Sequence, residues 1–233
     1  MKPQDIIKEK SSLWIFGYGS LVWKPDFDYK RSKIGCIKGY KRRFWHGDDF
    51  YRGDKKRPMC YFVLCDVLRW PPPHCVCPCC PQPGRVVTLV EDQDACTWGV
   101  AYEVTDSQIE VSLQYLNMRE VVLGGYITEM VEFIPKEKDQ APLLALVYIA
   151  TSENPIYLGP ASDKEIAAQI AVCRGNTGHN IEYLVRLAEF MRLCCPGVED
   201  DHLFSIEAAV LDTFRDCGGI KPPDQKTLLL GAT

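Results

Sequence analysis

The chain has 233 residues, of which 46% are hydrophobic and 25% are charged, a balance typical of a globular protein with one substantial core. A formal net charge of −4 gives no indication of a basic nucleic-acid-binding surface, and the cluster Lys41, Arg42 and Arg43 is expected to form a solvated face. Residues 1–12 are polar and lack the apolar core of a targeting signal, and no apolar run is long enough to cross a membrane. We therefore expect a cytosolic protein with neither a membrane nor a nucleic acid as its partner.

The first predicted elements are strands. Residues 13–18 have the pattern of a buried strand that ends at two glycines, Gly17 and Gly19. Glycine weakens the interior of a strand, so this pair indicates either an unusual backbone conformation, such as positive φ, or a close approach to the backbone. Residues 34–45 form the second predicted strand.

Four further strands are predicted in the middle of the chain. Residues 84–91 and 96–104 are β-branched and aromatic, and the acidic segment 92–94 is expected to form a turn between them. Residues 126–134 and 143–151 have the same composition and are also expected to be strands. A helix is predicted between the two pairs, because Thr105 begins a capping box.

The last third of the chain is predicted to be helical. Ser162 and Glu165 have capping-box spacing, and apolar residues recur at helical intervals after them and in two later segments. Residues 217–233 are expected to form a loose tail. Strands, one helix, strands and then helices predict an α+β fold in a single domain that spans residues 13–216.

The helix predicted from Thr105 carries a carboxylate on its apolar face. Its apolar stripe consists of Ile109, Leu113 and Leu116. Glu120 follows at the next position of this stripe, within roughly 20° of Ile109 around the helix axis. The pattern therefore places a charged group where an apolar side chain is expected.

Two interpretations of Glu120 are open. In the first, the helix frays before Glu120 and leaves the carboxylate in water, or a cation such as Arg119 pairs with it. In the second, the carboxylate is desolvated and its pKa is raised, which suits a general base near neutral pH.

Five segments, in order along the chain, resemble one family. They are FGYGSL at 16–21, PGRVVTLVED at 83–92, WGVAYEV at 98–104, YLNMREVVLGGY at 115–126 and NPIYLGPAS at 154–162. Together they resemble the ChaC family of glutathione-specific γ-glutamylcyclotransferases. REVVLGGY and the later segment CRGNTGHNIEYL are similar to the larger vertebrate subtype of that family.

The resemblance implies a mixed β-barrel or sheet with surrounding helices. It also implies a lyase that cleaves glutathione to 5-oxoproline and cysteinylglycine without a metal or an organic cofactor. By motif position, Glu120 is the catalytic residue that the family implies. The implied substrate-binding loop consists of Ile15, Phe16, Gly17, Tyr18, Gly19 and Ser20.

The chemistry of this substrate explains the glycine-flanked loop. Backbone N–H groups of such a loop can bind the glutamyl α-carboxylate or the oxygen of the attacked carbonyl, although a tight turn between strands would need the same glycines. Gly17 and Gly19 allow close approach, and Tyr18 and Ser20 add hydroxyl groups. The glutamyl α-amine is itself the nucleophile, so Ser20 is expected to bind substrate rather than attack it.

Supporting residues are less strongly indicated. Tyr157 is a candidate for a further hydroxyl in the site, and a packed core tyrosine fits its position equally well. Arg52 or Arg85 could hold the glycine carboxylate of glutathione. Three histidines are expected to be structural or exposed rather than catalytic: His46, His179 and His202.

Residues 60–82 interrupt the family pattern with a Cys- and Pro-rich insertion that holds six of the 12 cysteines. CVCPCC and His74 have spacings compatible with zinc or copper(I), but bunched cysteines are unusual for a closed zinc site, so no metal site is predicted. A flexible surface loop and a non-native coding segment are the other two interpretations. Two alternative functions stay open. If the insertion disrupts the site, the chain is a catalytically weak relative of the family with a binding role. Alternatively, the chain acts on γ-glutamyl compounds other than glutathione.

The remaining cysteines are scattered along a chain without a visible signal peptide, so they are expected to be reduced and partly buried rather than to form a disulfide framework. They are Cys36, Cys96, Cys173, Cys194, Cys195 and Cys217.

Overall fold

The computed structural model describes residues 12–54, 83–105, 107–122 and 125–216. The predicted insertion at 60–82 and the predicted tail at 217–233 lie outside the described residues. The chain divides into two units. The first lies within Met1–His46, Val87–Gly159 and Glu189–Val198, and the second lies within Gly47–Val86, Pro160–Ala188 and Glu199–Thr233.

Five strands close into a barrel in the order β1-β3-β2-β4-β5. β1 is antiparallel to β3, with Gly17 opposite Val100, and parallel to β5, with Phe16 opposite Val147. Every predicted strand segment lies in a strand, with small shifts at the ends, although the segments 84–91 and 96–104 belong to one strand. The bounds are β1 Ser12–Gly17, β2 Arg31–Asp48, β3 Gly84–Thr105, β4 Ile127–Pro135 and β5 Leu143–Ile149.

Two sequence-based expectations about the barrel are wrong. The predicted turn at 92–94 does not divide two strands, because β3 continues through it, with the Asp94 amide bonded to Asp92 Oδ1 at 3.1 Å. The neighbouring residues are strongly strand-forming, and the acidic residues lie where the strand meets solvent. Arg42 is not solvated with Lys41 either: it is only 4% exposed, because its position in β2 faces the protein interior.

The predicted first helix is confirmed, although it begins after β3 rather than at Thr105. Helix α1 spans Ser107–Leu116 and continues directly into a π-helical turn, Asn117–Val122. Ile109, Leu113 and Leu116 are buried and pack against residues of β1, β3 and β5. The apolar stripe therefore packs the helix against the barrel.

The helices predicted in the last third are also confirmed. They are α2 Asp163–Val172, α3 Asn180–Cys194 and α4 Asp201–Asp216, with the short strands β6 Arg174–Gly175 and β7 Gly178–His179 between the first two. α2 packs against α4 within the second unit. At the start of α2, Ser162 Oγ accepts from the Glu165 amide and the Glu165 carboxylate accepts from the Ser162 amide, which confirms the capping box.

The described part of the chain contains no helix that is both long and apolar enough to span a bilayer. Five cysteines within it are free thiols, and Cys36, Cys173 and Cys195 are buried.

Candidate active site

The segment after β1 folds back on the strand. Tyr18 and Gly19 lead into a 3-10 turn, Ser20–Val22. A Cβ atom at Gly17 would lie 2.5 Å from the Cβ atom of Leu21, so only glycine lets the turn approach the strand this closely. Gly19 has a φ of −122°, so the expectation of positive φ is wrong at this position, whereas close approach accounts for the glycine at position 17.

The 3-10 turn leaves backbone donors at its start. The Val22 amide donates to the Gly19 carbonyl at 3.0 Å, and the Lys24 amide donates to the Ser20 carbonyl at 2.9 Å. The first amides of a helical turn have no acceptor within that turn. The amides at the start of the turn, those of Gly19, Ser20 and Leu21, are therefore donors of the kind that bind an anion or an oxyanion.

Tyr18 is fixed from two sides. Its hydroxyl donates to the Tyr148 carbonyl at 2.7 Å, and its own carbonyl accepts from Arg42 Nη1 at 2.7 Å. The buried Arg42 also donates to the Trp98 carbonyl at 2.9 Å and to the Met191 sulfur at 3.3 Å. The loop is therefore held by the barrel before any ligand binds.

The six residues implied as the substrate-binding loop occupy different places. Ile15 and Phe16 lie inside β1 with side chains 0% and 1% exposed, and the Phe16 ring packs 5.6 Å from that of Phe133. Gly17, the last residue of β1, is also buried, and Gly19 and Ser20 are half-buried. Ile15 and Phe16 thus contribute side chains to the core, and the loop itself begins at Gly17.

Glu120 lies in the π-helical turn, and its side chain is 15% exposed. Its Oε1 atom lies 3.0 Å from Arg119 Nε. The structure therefore combines parts of the two interpretations: the carboxylate is largely removed from water, and it has a cationic partner. The helix does not fray before Glu120 but widens into a π-helical turn, a conformation that is frequent at functional sites.

Arg119 contacts both Glu120 and the loop, and Tyr148 feels the charge of Glu120 and also holds Tyr18 of the loop. Arg119 Nη2 donates to Ser20 Oγ at 2.8 Å, so one guanidinium contacts both Ser20 and Glu120. Burial and the charge of Glu120 raise the pKa of the Tyr148 phenol. The backbone carbonyl of Tyr148 accepts the hydrogen bond from the Tyr18 hydroxyl. Tyr148 was not predicted as a site residue, because its one signal in the sequence is a polar aromatic group near the end of the apolar strand β5.

A second missed residue, Asn154, holds the backbone at Gly125, which follows the π-helical turn in the chain. Gly125 has a φ of +66°, and Asn154 Nδ2 donates to its carbonyl at 2.8 Å. A Cβ atom at Gly125 would lie 2.5 Å from that nitrogen. The Tyr126 amide donates to the Glu120 carbonyl at 3.0 Å. Gly125 and Tyr126 therefore meet the NPIYLGP segment beside the residue that carries the carboxylate.

Tyr157 lies near His46 rather than in the deep core. The two residues form an isolated β-bridge, and Tyr157 is half-buried, which raises the pKa of its hydroxyl. His46 is 1% exposed and packs edge-on against Tyr126 at 4.8 Å.

The remaining candidates lie in the second unit. Arg52 Nη1 donates to the His179 carbonyl at 2.9 Å and lies 3.2 Å from Glu182 Oε2. Arg85 Nε donates to Gln169 Oε1 at 2.8 Å. His202, expected to be structural or exposed, has its Nδ1 atom 3.2 Å from Asp163 Oδ1.

Comparison with known proteins identifies the family. The chain matches the family model of ChaC-like proteins over residues 13–67 and 78–213, so the unmatched interval lies inside the insertion predicted at 60–82. It is 65% identical over 215 residues to glutathione-specific gamma-glutamylcyclotransferase 1 of Danio rerio, and the alignment covers 92% of this chain and 97% of the relative. The Mus musculus protein of that name is 52% identical over 221 residues, covering 95% and 86%. The chain belongs to the ChaC family.

A solved structure supports the same fold. The crystal structure of a glutathione-specific gamma-glutamyl cyclotransferase from yeast aligns with a TM-score of 0.67 at 26% sequence identity. The alignment covers 87% of this chain and 99% of the yeast chain. The fold expected from the sequence, an α+β protein with a γ-glutamylcyclotransferase-like barrel, is confirmed.

Proposed function

We propose that this chain is a lyase that cleaves glutathione to 5-oxoproline and L-cysteinylglycine, with Glu120 as the general acid and base. The observation that carries the proposal is the position of Glu120, which is largely buried and joined to the glycine loop through Arg119. The names of the relatives from Danio rerio and Mus musculus support glutathione as the substrate. Residues 13–216 form the proposed catalytic domain, and a cytosolic location fits a substrate of this kind.

The reaction is an intramolecular acyl transfer. The glutamyl α-amine attacks the γ-carbonyl, a C–N bond of a five-membered lactam forms, and the C–N bond to the cysteine nitrogen breaks. Because nucleophile and electrophile belong to one molecule, much of the entropic cost of bringing them together is already removed. No activated serine or cysteine is required, and Ser20 has a binding role.

Glu120 moves the proton that the reaction transfers. An α-ammonium that titrates one or two units above pH 7 costs about 1.4–2.7 kcal/mol to deprotonate at neutral pH. The attacking nitrogen loses two protons on its way to the lactam N–H, one before the attack and one from the tetrahedral intermediate. Glu120 accepts a proton from this nitrogen and gives it to the leaving cysteine nitrogen as the C–N bond breaks. The second proton passes through water to the product amine, so no net proton is consumed when the substrate and product amines are both protonated.

The loop stabilises charge on the substrate. The amides of Gly19, Ser20 and Leu21 bind the γ-carbonyl oxygen as it becomes an oxyanion, or the α-carboxylate. Tyr157 remains the proposed supporting hydroxyl. We assign no substrate contact to Arg52 or Arg85, because their guanidinium groups already have acceptors within the second unit.

The test compares the full chain with Glu120→Gln and with Glu110→Gln, a change at an exposed position of α1. With glutathione as substrate, we expect wild-type release of 5-oxoproline and cysteinylglycine from Glu110→Gln. For Glu120→Gln we expect at least about a hundredfold lower kcat, the usual scale for loss of a general base.

A folded Glu120→Gln protein with near wild-type release of 5-oxoproline contradicts the assignment of Glu120. Release from γ-glutamylalanine at a rate equal to that from glutathione contradicts glutathione specificity. A wild-type chain that binds glutathione without releasing either product supports the binding role of a catalytically weak relative.

A further inference from the structure

The guanidinium of Arg119 contacts three separate parts of the chain. Its Nη2 donates to Ser20 Oγ at 2.8 Å, its Nη1 donates to the Lys24 carbonyl at 3.0 Å, and its Nε lies 3.0 Å from Glu120 Oε1. All three nitrogen atoms are used, and the side chain is only 11% exposed. A planar fork of this kind fixes its acceptors in one plane, which a lysine ammonium cannot do.

The pairing with Glu120 is unusual for neighbouring helical residues. Residues i and i+1 of an α-helix do not face each other. Arg119 and Glu120 meet within the π-helical turn Asn117–Val122, and the Gly125 amide donates to the Val121 carbonyl at 2.9 Å at its end. The irregular turn therefore directs a base and a cation toward the same loop.

The outer side of Arg119 is also held. Asp26 Oδ2 lies 3.9 Å from Arg119 Nη1, accepts from the Tyr115 hydroxyl at 3.2 Å and lies 3.7 Å from Lys24 Nζ. Asp26 has a φ of +55°, a left-handed conformation that aspartate tolerates better than most residues. Burial acts to lower the pKa of Arg119, but Glu120, Tyr115 and Asp26 outweigh it, so the pKa is raised and the guanidinium stays charged.

We propose that Arg119 is a positioning residue that fixes the Glu120 carboxylate at a set distance from Ser20 in the substrate-binding loop. This inference rests on the proposed function, because it assigns the geometry of that same site. Arg119 acts through Glu120 and Ser20 and transfers no proton. Its loss lets the base and the loop move independently, and a displacement of about 1 Å at a reacting group can cost about a hundredfold in rate.

The proposal predicts a particular kinetic signature. Arg119→Gln is expected to lower kcat about a hundredfold and to change KM by less than about threefold, because the base is misplaced while most substrate contacts persist. Arg119→Lys keeps the charge but not the fork, and is expected to lose about tenfold in kcat. Arg174→Gln, which removes an exposed arginine, serves as the matched control with wild-type kinetics.

Two further measurements separate positioning from a structural role. Guanidinium ion at low millimolar concentration is expected to restore part of the kcat of Arg119→Ala, since it can occupy the vacated position. The double variant Arg119→Gln/Glu120→Gln is expected to lose no more activity than Glu120→Gln alone, because residues that act as a unit are not additive. The melting temperature of each variant is recorded alongside, and the rescue is judged on protein that melts cooperatively.

The outcomes distinguish this inference from the proposed function. Full activity in Glu120→Gln overturns the catalytic assignment itself. Loss of activity in Glu120→Gln together with wild-type kcat in Arg119→Gln overturns only the positioning role. Additive losses in the double variant, or no rescue by guanidinium of a cooperatively folded Arg119→Ala protein, also overturn it.

Discussion

Replacing Arg42 by methionine is expected to destabilise the protein and to loosen the substrate loop. Methionine is unbranched and of similar length, so it replaces the aliphatic part of the arginine. It lacks the guanidinium donors to the Tyr18 and Trp98 carbonyls, which lie 2.7 and 2.9 Å away. A buried acceptor left without its donor costs about 1–3 kcal/mol. The Trp98 contact is only partly buried, and removing the buried charge recovers some desolvation energy.

The expected net loss in the free energy of unfolding is therefore about 2–3 kcal/mol, a large share of the roughly 5–15 kcal/mol typical of a domain. With a slope near 2–3 kcal/mol per molar urea, the unfolding midpoint should fall by about 1 M. Tyr18 keeps its bond to Tyr148 but loses the one to Arg42. We expect KM for glutathione to rise about tenfold, equivalent to about 1.4 kcal/mol of binding.

The assay is equilibrium urea unfolding followed by circular dichroism, with glutathione kinetics measured in the absence of urea. Lys41→Met is the matched control, because the adjacent Lys41 is partly exposed and forms a surface ion pair with Asp92. Exposed pairs of this kind contribute little to stability, so its midpoint should match the wild type. If Arg42→Met unfolds at the wild-type urea concentration, the buried hydrogen bonds do not stabilise the loop and the reasoning fails.

Two other predictions concern the loop and the insertion. Gly17→Ala places a Cβ atom where Leu21 Cβ is 2.5 Å away, so it should lower the free energy of unfolding by about 1–3 kcal/mol and reduce glutathione turnover. A Cβ atom at Gly39 would meet nothing within 4 Å, but the residue has positive φ, so Gly39→Asn, which tolerates that φ, is the control and should retain turnover. Unchanged turnover in Gly17→Ala would contradict the close-approach argument. Deleting residues 60–82 should leave an active enzyme whose melting temperature is at least that of the full chain, because longer connections cost little entropy to close. Loss of activity on deletion, or a rise of several degrees in the melting temperature of the full chain with stoichiometric zinc, would instead identify the insertion as a functional module.

Local patterns predicted the elements well, because local interactions determine them. Ser162 and Glu165 satisfy each other's backbone groups within one turn, and the sequence spacing alone indicates it. The apolar stripe through Ile109 and Leu116 likewise singled out Glu120 as a carboxylate on an apolar face, but it left open whether this group lies in water, as the structure excludes, or is paired with Arg119 and largely buried, as the structure has it.

The residues that hold the site could not be found in the same way, because their partners are distant in the chain. Ser20 and Arg119 are 99 positions apart, and Arg42 reaches Met191 across 149 positions. Neighbouring basic residues in a row suggest a solvated patch, but alternation along β2 buries Arg42 and leaves Lys41 exposed. Only the closure of the barrel decides which member of such a row faces inward.

The parallel pairing of β1 with β5 has a consequence for synthesis on the ribosome. Tyr18 must wait for Tyr148, which is 130 residues later in the chain, before its hydroxyl finds an acceptor. At translation rates of about 5–20 residues per second, that interval lasts about 7–26 s. Throughout it, one edge of the first strand has no native neighbour, although unpaired edges invite association with other chains. The nascent sheet thus keeps an open edge at β1 until β5 emerges, and an active site that begins at the first strand cannot be completed before the fifth strand has been synthesised.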